Sequence, residues 1–298
     1  MASWKHDSEG GGMNTSFAMQ YVAIPPDLDL WEWLWDEENT VSASSLNMFL
    51  RCPRQWRYKS LGFPTIEMDM TAANFGTDVH NAISAFYNSL SGEGWLTPDG
   101  IRERAEAYLY KIENRPRGKS MKKIVDELVK FELWRQKRYP FDSQIPKCVE
   151  HYFKVPPFHG YIDFAAHDFV LDWKTGSGQV NPDYVRQVNV YFYAGMGLDF
   201  EAKKGFLMFI ETGMKPMIPI NLEKVLKEAW AFFQLTGDSG FSYPPNRTYM
   251  CRWCGWRNLC EREEQSSHEF IASRLIRKRI QRLSEVGLFE RKAEAATA

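Results

Sequence analysis

Two short runs, Gly160-Tyr161-Ile162-Asp163 and Val170-Leu171-Asp172-Trp173-Lys174, constrain this chain more than any other feature. An extended backbone sends side chains at i and i+2 to the same face, so Asp172 and Lys174 leave together and Trp173 points the other way. The break around His167-Asp168 suits a hairpin, which lays the strand of Asp163 beside the strand of Asp172. Two carboxylates and an ammonium then converge. Magnesium or manganese prefers oxygen ligands, and phosphodiester hydrolysis needs a Lewis acid on the phosphate and an activated water. Asp163 and Asp172 supply oxygens and the Trp173 carbonyl offers another. Lys174 is suited to orient the water or to neutralise charge building on the phosphate. The same pattern also fits a surface hairpin with a solvated Asp and Lys.

The 298 residues, 44% apolar and 15% aromatic, suffice for a large buried core. A formal charge of -1 argues against wholesale attraction to nucleic acid but leaves room for a local basic groove. No apolar run approaches the roughly 20 residues of a membrane-spanning helix, and no basic segment leads into an apolar one at the start, so a cytoplasmic location is expected. Ser42 to Ser45 are expected to cap a helix carrying Cys52 or ending near it. Phe75 to His80 opens a second helix, and a charged helical pattern runs from Asp99 to Arg138 with a break at Asn114 to Gly118. Strand character starts near Val149. After Lys174 a glycine-containing loop leads to a helix from Pro182 to about Gly195. Strands at Gly205 to Glu211 and Met217 to Ile220 and a helix at Leu222 to Leu235 follow. This order describes a mixed α/β core with helical additions on its N-terminal side.

Gln187 and Tyr191 lie four apart on one helix face beside Arg186, the pattern of a helix surface with a half-buried tyrosine or of a face that holds a phosphate backbone. His80 by itself is a histidine near a helix start. In order, Gly76 to His80, Gly160 to Asp163, Asp172-Trp173-Lys174-Thr175-Gly176 and Gln187 to Tyr191 resemble the motifs of the RecB-like branch of the PD-(D/E)XK nuclease superfamily. The resemblance implies a metal site of His80, Asp163, Asp172 and the Trp173 carbonyl, with Lys174 the catalytic lysine. It also implies that Gln187 and Tyr191 contact the strand being cut or brace the site. An imidazole ligand favours manganese alongside magnesium. Glu150 and His159 lie near the strand motif but match none of its positions.

Cys251-x-x-Cys254 and Cys260 form a compact trio, with Cys52 about two hundred residues upstream in Arg51-Cys52-Pro53-Arg54-Gln55-Trp56. Four thiols satisfy tetrahedral zinc or a four-cysteine iron–sulfur cluster, and spacing alone leaves both open. The pattern Ser-x-Leu-x-x-Phe-x-x-Cys-Pro with the later trio resembles the iron–sulfur subgroup of these nucleases, which includes the CRISPR-associated RecB-like exonucleases and the AddB nuclease domain. That resemblance implies a structural 4Fe-4S cluster on Cys52, Cys251, Cys254 and Cys260. Cys148 has no such partner and opens a strand. Cations and aromatics mix around Cys52 (Arg51, Arg54, Trp56, Arg57, Tyr58, Lys59) and around the trio (Arg247, Tyr249, Arg252, Trp253, Trp256, Arg257). Such surfaces hold phosphates and stack unpaired bases, and they also shield a cluster from water. Arg274, Lys278 and Arg282 share one face of a final helix.

The expected fold is therefore a restriction-endonuclease-like α/β core, a central mixed sheet flanked by helices, with a helical N-terminal insertion and a C-terminal iron–sulfur segment. The expected division is a leader and extension over 1–40, with 1–12 flexible. Helices carrying Cys52 and His80 follow over 41–150, then the nuclease core over 151–236 and the iron–sulfur segment with the basic helix over 237–298. The expected activity is a metal-dependent deoxyribonuclease acting on single-stranded DNA or DNA ends, as an exonuclease in recombination, repair or replication. No Walker loop is present, so a helicase or recombination factor would be a separate partner. The rivals are a catalytically inactive iron–sulfur DNA-binding or scaffolding protein and a zinc-binding nucleic-acid module.

Overall fold

A computed structural model describes residues 17–25, 28, 39–66, 69–90, 94–113, 115–176, 178–198, 200–213 and 215–265. The described residues divide between two compact units, those of Met1–Trp56 with Asp69–Asn246 and those of Arg57–Met68 with Arg247–Ala298. The leader over 1–12, all of the Trp-rich acidic stretch except Leu28, and the basic helix over 273–282 lie outside the described residues.

Side-chain caps start most helices of the first unit by accepting amides that a helix start leaves unpaired. Ser42 accepts the Ser45 amide at the head of α1, Ala43–Arg51, whose last cap is Cys52. After α2, Pro53–Ser60, comes α3, Thr71–Asn88. It opens four residues before the expected Phe75, because Asp69 Oδ1 accepts the Thr71 amide at 2.9 Å. Thr97 caps α4, Pro98–Leu109, and Ser120 caps α5, Met121–Arg138. Asn181 caps α6, Pro182–Gly197, and Asn221 caps α7, Leu222–Gly237. The strands are β1, Cys148–Val155; β2, Phe158–Ala166; β3, Phe169–Lys174; β4, Lys204–Phe209; and β5, Met217–Ile218. The fourth strand stops at Phe209, short of the expected Glu211, because the Phe209 carbonyl turns to accept the Thr212 and Gly213 amides.

The strands form one mixed sheet in the order β1-β2-β3-β4-β5, parallel only between β3 and β4, where α6 makes the crossover. Alternation divides the buried side chains between two cores. Phe169, Leu171, Trp173 and Met208 face α3, α4 and α5, packing with Val79, Phe86, Leu128 and Phe131. Val170, Leu207 and Phe209 face α1, α6 and α7, packing with Phe49, Val188 and Phe232. Each large apolar side chain so buried contributes about 1.5–3 kcal/mol. Gly205 lets α6 lie directly on β4, since a Cβ there would meet Val188 Cγ1 at 2.4 Å. That close approach seats the helix bearing Gln187 and Tyr191.

The second unit holds a 3-10 helix, Tyr249–Trp253, capped by Thr248. Within it the Ile66 amide bonds the Gly255 carbonyl at 2.9 Å, and Trp256 Nε1 donates to the Phe63 carbonyl at 2.8 Å. Among the described residues no helix is long and apolar enough to cross a membrane.

Candidate active site

The site forms where strands part. The β2–β3 ladder runs Ala166↔Phe169, Ala165↔Val170 and Phe164↔Leu171 and ends there. Beyond it β3 pairs only with β4, so the Trp173 amide lacks a strand partner on the β2 side and donates to Asp163 Oδ2 at 3.0 Å. On the other side of β2, the register sets Glu150 opposite Asp163, the one position missing from an otherwise continuous ladder. Glu150 has φ 44, a left-handed conformation that is strained for a glutamate.

The faces of the hairpin exchange at this pair. Val149 and Phe164 pack toward α3–α5, whereas Phe153 and Ile162 pack toward α1, α6 and α7. Undisturbed alternation would keep 149 with 153 and 162 with 164. Asp163 therefore sits at the crossover, reachable from both helical layers.

A chain of hydrogen bonds joins the expected residues. Lys174 Nζ lies 2.8 Å from both oxygens of Asp172, with hydrogen-bond geometry to Oδ1, and donates to Gln187 Oε1 at 3.1 Å. Gln187 Nε2 donates to the Tyr191 hydroxyl at 2.7 Å, and that hydroxyl donates to Asp163 Oδ1 at 2.7 Å. From α3, His80 places Nε2 3.0 Å from the Trp173 carbonyl and Nδ1 3.0 Å from Glu150 Oε1 and 3.4 Å from Asp163 Oδ2. His80, Asp163, Asp172, Trp173, Lys174, Gln187 and Tyr191 are thus brought together.

Glu150, which matches no motif position, joins His80 and Asp163 in a group whose ligand atoms all lie within 4.8 Å of one another, with Asp172 beside Asp163 and held by Lys174. Only strand register reveals this glutamate, thirteen residues before Asp163. Arg186 turns away from any phosphate: it is bound through Nε and Nη2 to Glu228 at 2.6 and 3.1 Å, and through Nη1 to Asn47. Lys119 is a further cation that motif spacing did not single out. It donates to the Thr175 carbonyl and to Glu211, both at 2.6 Å, and lines a cavity of about 300 Å³ with His80, Lys174 and Tyr184.

Charge at the site is out of balance. Burial pushes the Asp172 carboxyl well above the usual range; Lys174 opposes the rise and Asp163 adds to it. Burial pulls His80 down, but Asp163, the Glu150 hydrogen bond and Asp172 outweigh it and carry the pKa up to about 9. Burial likewise lowers Lys174, and Asp172 and Asp163 more than restore it. Burial, Asp163 and Asp172 together raise Tyr191, which keeps its proton and serves as a donor. Asp172 Oδ2 is buried without a hydrogen-bond partner. Three carboxylates crowded against one imidazole, closely enough to raise both Asp172 and His80, fit a divalent cation.

No disulfide joins any of the five cysteines. In the first unit Cys52 Sγ accepts the Asn246 amide at 3.5 Å, and burial raises the Cys148 thiol at the head of β1. In the second, the Cys254 amide bonds the Cys251 carbonyl at 3.2 Å and the Cys260 amide the Trp256 carbonyl at 3.0 Å. The aromatics near them differ in exposure. Trp56 is committed to the core against Phe49, Phe232 and Tyr243, whereas Trp253 is 55% exposed with Arg252 over its ring at 4.5 Å.

A family model described as the PD-(D/E)XK nuclease superfamily matches residues 40–261. No curated protein matches the chain. Among solved structures, "Crystal structure of SSO0001" is 18% identical, with 84% of this chain and 96% of that chain covered at a TM-score of 0.35, too low to carry an argument.

Proposed function

The chain belongs to the PD-(D/E)XK nuclease superfamily, whose members are metal-dependent nucleases, and from that premise we propose a deoxyribonuclease of its RecB-like branch, an exonuclease acting on single-stranded DNA or DNA ends. The observation that supports this most directly is the unbroken chain Asp172–Lys174–Gln187–Tyr191–Asp163. It ties the strand motif to the helix motif through side chains alone.

Asp163, His80, Glu150 and Asp172 would hold magnesium or manganese, with the Trp173 carbonyl adjacent. A bound ion supplies Lewis acidity at the phosphate and lowers the pKa of its water. The protein's own groups do the rest. Tyr191 and the Trp173 amide fix the two oxygens of Asp163, so its carboxylate cannot rotate. Gln187 holds Lys174 against Asp172, leaving the ammonium ready to turn toward an attacking water or a charged phosphate oxygen. Lys119 adds positive charge to the cavity wall. The test incubates labelled single-stranded, double-stranded and flapped DNA with manganese or magnesium. Wild type should degrade DNA, and Asp172→Ala should lose about 10⁴-fold in rate, as when a group acting within a catalytic unit is removed. Equal degradation by the variant would sink the proposal.

For the cysteines the proposal is a structural 4Fe-4S cluster on Cys52, Cys251, Cys254 and Cys260, with residues 237–298 as the segment bearing the trio. Four cysteine sulfurs, one from Cys52 and three from the Cys251–Cys260 trio, have the right donor chemistry. Anaerobically purified protein should be brown, and Cys254→Ala should lose colour and solubility together; a colourless, zinc-containing wild type would contradict the cluster. A DNA-unwinding or recombination protein is the partner class that would supply frayed ends.

A further inference from the structure

Past the Glu150/Asp163 pair, the β1–β2 hairpin carries two further cross-strand pairs. Tyr152 stands opposite Tyr161, and Lys154 opposite His159. The two tyrosine rings meet at 5.3 Å and 63°, and the residues are 51% and 57% exposed. Their neighbours along the strands, Phe153 and Ile162, are buried in the core. The opposite face of the hairpin buries Phe153, Phe158 and Ile162, so the two rings form an adjoining aromatic pair on its open face, and Lys154 beyond them is exposed as well.

We infer that Tyr152 and Tyr161 form a stacking platform for one unpaired base next to the phosphate held at the metal site, with Lys154 beyond it for the following phosphate. The inference rests on the nuclease proposal and names its substrate class. Spacing carries it. Phe153 and Ile162 face α1, α6 and α7, so Tyr152, Tyr161 and Lys154 leave the opposite face, the side from which His80 of α3 reaches Glu150 and Asp163, and the acidic, tyrosine and Lys154 pairs succeed one another every two residues, about 7 Å of antiparallel strand. A stacked strand advances only about 3.4 Å per nucleotide. A nucleotide spanning that step is pulled off its neighbour and needs another π-face to replace the lost stacking. Tyrosine offers that face without regard to base identity, and a paired duplex, whose bases remain stacked, does not fit. The charge sequence matches the ligand: cation-binding carboxylates and Lys154 take phosphates at either end, and the uncharged rings take the base between them.

The tyrosines act by positioning, so the readout is a split between KM and kcat. With single-stranded oligonucleotide and manganese, Tyr152→Ala/Tyr161→Ala should raise KM about tenfold, the loss expected for one stacked base. Tyr152→Phe/Tyr161→Phe, which keeps the rings, should restore it. An oligonucleotide abasic at the nucleotide beside the scissile phosphate should lose as much with wild type and lose nothing more with the alanine pair. Fluorescence of 2-aminopurine at that nucleotide, read in metal-free buffer, should be quenched by wild type and not by the alanine pair. Unchanged KM in a folded alanine pair, or abasic and alanine losses that simply add, would overturn the platform while leaving the nuclease standing. A wild type that cleaves nothing in either metal fails the nuclease proposal first and removes this one with it.

Discussion

Arg186 and Gln187 are adjacent on α6, yet they serve two buried charged groups of opposite character. Arg186 closes its group: Glu228 takes Nε and Nη2, while Asn47 and Asp183 take Nη1, with Arg186 and Glu228 side chains only 3% and 5% exposed. Gln187 belongs to a group that stays open, in which Glu150, Asp163 and Asp172 outnumber Lys174 and His80 and one Asp172 oxygen has no hydrogen-bond partner. A closed group ties α1, α6 and α7 together. The open one carries like-charge repulsion that a proton on Asp172 or an added cation relieves, which is how burial marks a working site rather than a brace.

Breaking the closed group should have the largest effect on stability. Glu228→Ala leaves a guanidinium buried with half its partners and should cost about 4 kcal/mol in denaturant unfolding. A loss below 1 kcal/mol would show the pair to be dispensable.

For the open group, the comparison is sharpened by adding what it lacks. Manganese at a hundredfold excess over its Kd should stabilise the protein by about 2.7 kcal/mol. His80→Ala and Glu150→Ala should each shrink that gain, and a Glu150→Ala protein with the full gain would exclude the glutamate from the site.

The smallest effect separates the two groups by sign. Asp172→Asn should raise the stability of metal-free protein by about 1 kcal/mol while abolishing cleavage, because it removes a carboxylate that burial and Asp163 disfavour. Its pH dependence follows from linkage. His80 rises from 6.5 to about 9, so the folded state binds more protons than the unfolded chain across that window. The stability His80 contributes is complete below pH 6.5 and is lost as pH rises toward 9. Asp172, also raised, gives the same sign above its ordinary value of 3.8. Metal-free protein should therefore weaken with rising pH between 6.5 and 9, and a thermal-melt series showing the reverse would mean that the carboxylates are not facing His80 as described.

Gly160 to Lys174 was legible in the chain because its information is local. The apolar, β-prone run Phe169-Val170-Leu171 marks a strand, i and i+2 put Asp172 with Lys174, and i and i+4 put Gln187 with Tyr191. Ser42 and Asn181 cap helices through bonds spanning three residues. Glu150 was not legible, because nothing near it in sequence says that it will face Asp163 and His80, seventy residues upstream. The role of Arg186 was not legible for the same reason, its partner Glu228 lying forty-two residues on.

The sequence by itself determined which segments extend, which coil, and which acids and lysine share a strand face, since backbone sterics and side-chain periodicity act over a few residues. Tertiary structure alone decided where β2 leaves β3, that the hairpin faces exchange at Glu150 and Asp163, and which charges are neutralised and which remain open. Those outcomes depend on the register and packing of distant elements, where burial amplifies each charge and no local pattern records its partner.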